Sequence, residues 1–97
     1  MMMSFVEIYE STRSHSNNSL RNFALREVLI NSEHVVCVRP DETHKRLLEE
    51  GKLPEKLDNR QEFSRIYLNR GQVGLDVVVI GNSKLIERKL NKKVLKG

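Results

Sequence analysis

Three histidines are the side chains in this sequence best suited to acid–base chemistry or to binding a metal ion. His15, His34 and His44 are far apart along the chain, and a zinc site needs three or four convergent ligands. Glu33 precedes His34, and Asp41 lies three residues before His44, so each could form a carboxylate–imidazole pair. We interpret the histidines as exposed or capping side chains, because nothing places a second acid–base group opposite them.

The single cysteine and the glycines are weaker candidates for chemistry. Cys37 stands between two valines, a setting typical of a small buried hydrophobic residue rather than a reactive thiol. Gly71, Gly74 and Gly81 lack the spacing of a phosphate-binding loop and are interpreted as turn residues. The sequence therefore predicts no catalytic residue, no metal site and no cofactor.

The cations near the C-terminus form the one charged pattern that has a functional interpretation. They could neutralise phosphates, although no aromatic residues are interleaved with them to stack on bases. Cations near a helix C-terminus also offset the helix macrodipole by about 0.3–1 kcal/mol each, which is a purely structural explanation. A contact with nucleic acid or another acidic partner would use Lys84, Arg88, Lys89, Lys92, Lys93 and Lys96.

The composition is that of one folded domain, residues 1–97, in which 38% of residues are hydrophobic and 31% are charged. The net charge of +4 is uneven: residues 1–50 carry six basic and eight acidic side chains, and residues 51–97 carry eleven and five. No apolar run is long enough to span a bilayer, and Glu7 and Glu10 interrupt any signal-peptide core. We therefore expect a cytoplasmic protein without a membrane span.

The elements that position these residues begin with a predicted antiparallel hairpin. Residues 62–68 and 74–80 alternate between apolar and polar side chains, and residues 69–72 tolerate a tight turn. Asn82 or Ser83 then caps a predicted helix over 84–95. Its buried side is predicted to hold Leu85, Ile86, Leu90, Val94 and Leu95.

The N-terminal half of the chain is predicted to be mostly strand. Residues 4–10 alternate as a strand, and residues 11–19 have the polar composition of an exposed flexible loop. Residues 20–30 fit either one face of a helix or a strand with a bulge near Arg26 and Glu27. We favour the strand, because residues 31–34 read as a tight connection into the next strand, Val35 to Val38.

Residues 41–61 are predicted to be an insertion that combines a helix with a loop. Asp41 is a suitable N-cap for a helix over 42–50, and Gly51 is a suitable stop. Residues 52–61 include Pro54 and several charges, which indicates a loop. The fold class is therefore α+β: an antiparallel β-meander or roll with a short inserted helix and a C-terminal amphipathic helix.

Two residues of the second hairpin strand suggest an interface. Asp76 is the only polar residue between Leu75 and Ile80, so both faces of this strand are apolar. A sheet covered by one helix would leave Val78 and Ile80 in water, unless the sheet closes on itself or a second subunit covers them. We therefore expect a homo-oligomer with Val78 and Ile80 at its interface.

Three stretches resemble the small FlbD-like β-domain proteins. In that pattern, a strand turns through Asn-x-x-His/Ile-Val into a second strand, followed by a hairpin and a terminal helix. The matching stretches here are Val28-Leu29-Ile30-Asn31-Ser32-Glu33-His34-Val35-Val36, Phe63-Ser64-Arg65-Ile66-Tyr67-Leu68 and Gly74-Leu75-Asp76-Val77. The chain departs from the pattern before Leu20 and between Asp41 and Glu62. The resemblance implies a β-meander plus helix and a non-enzymatic regulatory role, with no catalytic residues to carry over.

The sequence thus leads to two hypotheses of different classes. The first is a small non-enzymatic regulatory or adaptor domain that acts through protein–protein contacts, as a homo-oligomer. The alternative is a transcription-related, nucleic-acid-binding protein that uses the basic C-terminal helix.

Overall fold

The computed structural model describes residues 2–11, 22–54, 57–70 and 73–95. Within these residues the chain forms five strands, a one-turn 3₁₀ helix and two α-helices, which confirms the α+β class. In chain order they are β1 (Met2–Ser11), β2 (Asn22–Asn31), the 3₁₀ helix (Ser32–His34), β3 (Val35–Pro40), α1 (Glu42–Glu49), β4 (Phe63–Arg70), β5 (Val73–Ile80) and α2 (Ser83–Leu95).

The strands form one antiparallel sheet in the order β2-β1-β5-β4-β3. The two edge strands, β2 and β3, are consecutive in the chain and are separated only by Ser32–His34. Four residue steps span at most about 14 Å, whereas the outer strands of a flat five-stranded sheet lie about 19 Å apart. The sheet must therefore curl to bring the end of β2 near the start of β3.

The long hairpin of β1 and β2 decides between the two interpretations of residues 20–30. The two strands pair without interruption from Met2 opposite Asn31 to Ser11 opposite Asn22. The predicted strand is therefore confirmed over Asn22–Asn31, but the bulge expected near Arg26 and Glu27 is wrong. The irregular pairing lies instead in β3, between Val35 and Cys37. Of the predicted loop 11–19, Ser11 belongs to β1 and the remainder lies outside the described residues.

The first face of the sheet packs against α2. From the helix, Ile86 and Leu90 are buried against the strands. The strand residues of this cluster are Phe5, Ile30, Ile66 and Val79. Leu85, which was predicted to be buried with them, is instead 60% exposed, because it projects away from the contact line that Ile86 and Leu90 make. The side chains of Val94 and Leu95 lie outside the described part of the chain.

The second face of the sheet packs against α1 and the segment that follows it. Leu48 of α1 and Leu53 are buried against the strands. Their strand partners are Ile8, Phe63 and Val78, with Phe23, Leu25 and Ile80 partly buried around them. The insertion between β3 and β4 therefore supplies a second layer for the sheet.

This second layer corrects the expectation about Val78 and Ile80. Val78 is only 6% exposed, and Ile80 is half-buried against the same cluster. Both faces of β5 are apolar because the chain covers each of them with its own helix. Neither side chain is left in water. The exposure that led us to expect an oligomer interface at Val78 and Ile80 is therefore absent.

Local capping explains where both helices begin. The carboxylate of Asp41 accepts a hydrogen bond from the backbone N–H of His44, and α1 ends before Gly51, whose φ is 74°. The side-chain oxygen of Asn82 accepts hydrogen bonds from the backbone N–H groups of Lys84 and Leu85 at the start of α2. Both caps agree with the sequence analysis.

Candidate functional site

The basic C-terminal helix keeps two described cations free for a partner. Lys84, Arg88 and Lys89 are all exposed. The Lys89 ammonium donates a hydrogen bond to the Ser4 carbonyl oxygen at 3.0 Å and lies 4.7 Å from the centre of the Phe5 ring, so it ties α2 to β1. Lys84 and Arg88 take part in none of the ion pairs formed by the described residues. The side chains of Lys92 and Lys93, and the whole of Lys96, lie outside the described residues.

The two described histidines, His34 and His44, lie on different helices, and one of them is in a specific environment. His15 lies outside the described residues, and His34 is exposed on the 3₁₀ helix. The ring of His44 lies between two aromatic rings, with its centre 5.7 Å from that of Phe23 and 6.0 Å from that of Phe63. Its side chain is 13% exposed. Of the two interpretations of His44, exposed or capping, the exposed one is therefore wrong, since the ring contacts Asp41, the N-cap of α1.

His44 belongs to a cluster of ionisable side chains centred on Asp41, which joins α1 to the sheet; we call it the Asp41 cluster. Nδ1 of His44 lies 2.5 Å from Oδ2 of Asp41, while Arg65 of β4 donates to Oδ1 of Asp41 at 3.1 Å. The other terminal nitrogen of Arg65 donates to Asp76 of β5. The sequence indicates Asp41 with His44 but gives no sign of Arg65, which lies 24 residues after Asp41 in the chain.

The electrostatics of this cluster favour an ionised Asp41. Burial acts to raise the pKa of Asp41, but hydrogen bonds from His44 and Arg65 outweigh it, so the pKa lies below the ordinary carboxyl value. The hydrogen bond to Asp76, together with Asp41, raises the pKa of Arg65 above its ordinary value despite partial burial. Both oxygens of the Asp41 carboxylate are engaged. We therefore interpret the cluster as an anchor for α1.

The described residues do not form a metal-binding site. Across the described ranges, no group of three or more histidine, cysteine, aspartate and glutamate side chains could hold a metal ion. Cys37 is half-buried on β3 and has no described thiol partner.

The most distinctive open surface is an apolar groove beside the edge strand β2. We call it the β2 groove; its volume is about 430 Å³. Its lining includes Met2 of β1, Val28, Leu29 and Ile30 of β2, and Leu75 and Val77 of β5. Leu68 and the polar Asn31 and His34 complete the lining, so no carboxylate, ammonium or guanidinium group among the described residues lines it.

Three side chains of the β2 groove are unusually exposed for their size. Met2 and Leu29 are each 57% exposed, and Leu75 is 41% exposed. All three line the same groove, whereas single exposed apolar side chains scattered over a surface are common. This groove is not among the features predicted from the sequence. Its signal was the run Val28-Leu29-Ile30, which makes both faces of an edge strand apolar.

Comparison with known proteins adds no relative from which a function could be carried over. No protein-family model matches the chain, and neither the curated proteins nor the solved structures returned a match. None of the helices in the described residues is long and apolar enough to cross a membrane.

Proposed function

We propose that this protein is a small non-enzymatic regulatory or adaptor domain that binds a protein partner through the β2 groove. The supporting observation is the uncharged, apolar groove in which Met2, Leu29 and Leu75 are left exposed. Burying apolar surface is favourable by about 25 cal/mol per Å², so a partner that covers these side chains gains affinity from them. The FlbD-like resemblance points to the same class of function.

The non-enzymatic part of the proposal is supported by the Asp41 cluster. Asp41 and His44 are the one carboxylate–imidazole pair that the described residues bring together, and they are occupied in holding α1. A general acid or base needs to reach a substrate proton, whereas the His44 side chain is only 13% exposed and its ring lies beside the rings of Phe23 and Phe63.

Affinity capture with matched variants tests the proposal. The full chain carrying both Leu29→Asp and Leu75→Asp places charge in the β2 groove, at positions that are 57% and 41% exposed in the wild type. Leu85→Asp is the control, because Leu85 is 60% exposed and lies on α2, away from the groove. We call the double variant Leu29→Asp, Leu75→Asp the groove variant. We expect the wild type and Leu85→Asp to capture a partner that the groove variant does not capture. Equal capture by all three would overturn the proposal.

A second copy of this chain could also cover the β2 groove. We therefore keep a homo-oligomer as part of the proposed function, and its test is the oligomeric state in solution. Light scattering at several protein concentrations distinguishes the two arrangements. A dimer that dissociates in the Leu29→Asp, Leu75→Asp variant would place a second copy in the β2 groove.

Nucleic-acid binding is the second candidate, favoured by the exposed Lys84 and Arg88 on α2. Each phosphate neutralised contributes about −0.9 to the slope of log affinity against log salt on duplex DNA. We expect the double variant Lys84→Gln, Arg88→Gln to make that slope less steep by the contribution of about two phosphate contacts. Binding whose affinity does not depend on salt would exclude this function. Treating the lysate with nuclease in the capture experiment separates nucleic-acid bridges from direct protein partners.

A further inference from the structure

The β2 groove is shared by the two halves of the curled sheet. One half is the hairpin of β1 and β2, and the other consists of β5, β4 and β3. The register of β1 with β5, which joins the halves, contains a single residue pair, Glu7 with Val79. The groove is lined by residues 28–31 from the first half and by Leu68 and Val77 from the second. It is therefore a concavity between strands of both halves and not a patch on one strand.

Part of the groove lining also belongs to the hydrophobic cluster that α2 covers. Ile30 is a buried member of that cluster, and Val28, Leu68 and Val77 pack against it. All four residues line the groove, so an apolar group placed there would extend the core. The volume of about 430 Å³ lies within the range of about 300–1,000 Å³ that is typical of small-molecule sites. The groove therefore has the size and the apolar lining of a site for a small ligand.

The polar residues of the lining specify where the polar end of such a ligand would lie. Asn31 and His34 are the polar residues among the described lining, and His34 is exposed. An imidazole N–H donates to a carboxylate oxygen, whereas no described carboxylate lines the groove to pair with an ammonium group. A charged group placed among the valine and leucine side chains would lose its water without gaining a counter-ion, which is costly. The lining therefore favours an apolar tail in the groove and a carboxylate at His34.

We propose that the β2 groove binds a medium-chain fatty acid, with its hydrocarbon chain along the groove and its carboxylate at His34. This inference uses the same groove as the proposed function but requires no protein partner, so each of the two can fail alone. Where both hold, the fatty acid occupies the surface that the partner covers and thereby regulates that contact.

The experiment titrates the isotope-labelled full chain with hexanoate, octanoate and decanoate in turn, below the concentrations at which they form micelles. Nuclear magnetic resonance follows the amide and methyl signals. We expect saturable shifts that are largest at the methyl groups of Val28, Leu68 and Val77. Burial of one methylene corresponds to about fourfold in affinity, so each added methylene should tighten binding by about that factor. Equal dissociation constants across the series would overturn the proposal, as would shifts confined to residues outside the groove.

Variants separate the contacts of the tail from those of the carboxylate. The groove variant should lose decanoate binding, whereas Leu85→Asp should retain it. His34→Ala should weaken decanoate by about tenfold but leave the affinity ratio of decanoate to octanoate unchanged, because the tail keeps its contacts. Decanoate binding that the groove variant retains would overturn the site, and octylammonium that binds as tightly as octanoate would overturn the assigned head group. The chain-length series uses the wild type, so it tests the site even if the groove variant does not fold.

The capture experiment distinguishes failure of this inference from failure of the proposed function. Decanoate binding to the purified chain, without a lysate partner that depends on the groove, supports the fatty-acid site and overturns the proposed function. A groove-dependent partner, with no decanoate binding at millimolar concentration, does the reverse. If both bind, saturating decanoate should release the partner, and a partner that stays bound would contradict the regulation.

Discussion

At the scale of single residues, Asp41 combines three contacts in one carboxylate. It caps α1, binds the ring of His44 and accepts a hydrogen bond from Arg65. Loss of an N-cap costs about 1 kcal/mol, and leaving part-buried donors without their acceptor costs about 1–3 kcal/mol more. We expect Asp41→Ala to lower the free energy of unfolding by about 2–4 kcal/mol, measured by urea denaturation.

Asp58 supplies the control for this measurement. It also pairs with an arginine, Arg60, but its side chain is 54% exposed, and exposed ion pairs contribute little to stability. Asp58→Ala should leave the urea midpoint nearly unchanged. If the two variants lose equal stability, Asp41 is not the anchor of α1 that its contacts indicate.

The same carboxylate should make stability depend on pH in the acidic range. The pKa of Asp41 is lowered in the folded chain, because its hydrogen bonds outweigh its burial. A carboxyl group with a lowered folded pKa binds protons more readily when unfolded. Its contribution is therefore complete above the unfolded value of about 3.9 and is lost as the pH falls through the folded pKa.

The measurement is the free energy of unfolding of the wild type and of Asp41→Asn between pH 7 and pH 2. We expect a constant difference at the neutral end and a narrowing difference below about pH 4, where the unfolded carboxyl group begins to take up protons. A difference that stays constant down to pH 2 would contradict the lowered pKa.

At the scale of elements, two neighbouring residues of α2 show how packing selects one side of a helix. Ile86 is 4% exposed and Leu85 is 60% exposed. Truncating a buried isoleucine to alanine costs about 2–5 kcal/mol, whereas exposed substitutions usually change stability by less than about 0.5 kcal/mol. We expect Ile86→Ala, but not Leu85→Ala, to shift the thermal and urea midpoints strongly. Similar losses in both variants would place Leu85 in the contact of α2 with the sheet.

The sequence predicted the elements well because their signals are local. The alternation and turn residues that define β4 and β5 lie within 19 consecutive positions, 62 to 80, and the caps at Asp41 and Asn82 lie next to the helices they begin. The misassigned Leu85 shows the limit of this reasoning. Both Leu85 and Ile86 are apolar, and only the direction from which the sheet approaches α2 decides which is buried.

The candidate site was harder to predict because it depends on contacts between distant parts of the chain. Arg65 lies 24 residues after Asp41 in the chain. The Asp41 cluster therefore forms only because β3 pairs with β4. The β2 groove requires knowing that β2 is an edge strand and that Leu75 lies across from it. Neither fact follows from the periodicity of β2, which would look the same in the middle of a sheet.

At the scale of the whole molecule, Val78 allows a test of whether its burial stabilises the single chain or an assembly of two chains. Val78 belongs to the same buried cluster as Leu48 and Leu53 of its own chain. If its role is internal, Val78→Ala should lower the free energy of unfolding by about 2 kcal/mol at every protein concentration. If Val78 instead held two copies together, mass action would make both the unfolding midpoint and the effect of the substitution rise with concentration. Urea denaturation at protein concentrations a hundredfold apart distinguishes the two cases. We expect the effect of Val78→Ala to be the same at both concentrations, because the helix that covers Val78 is part of the same chain.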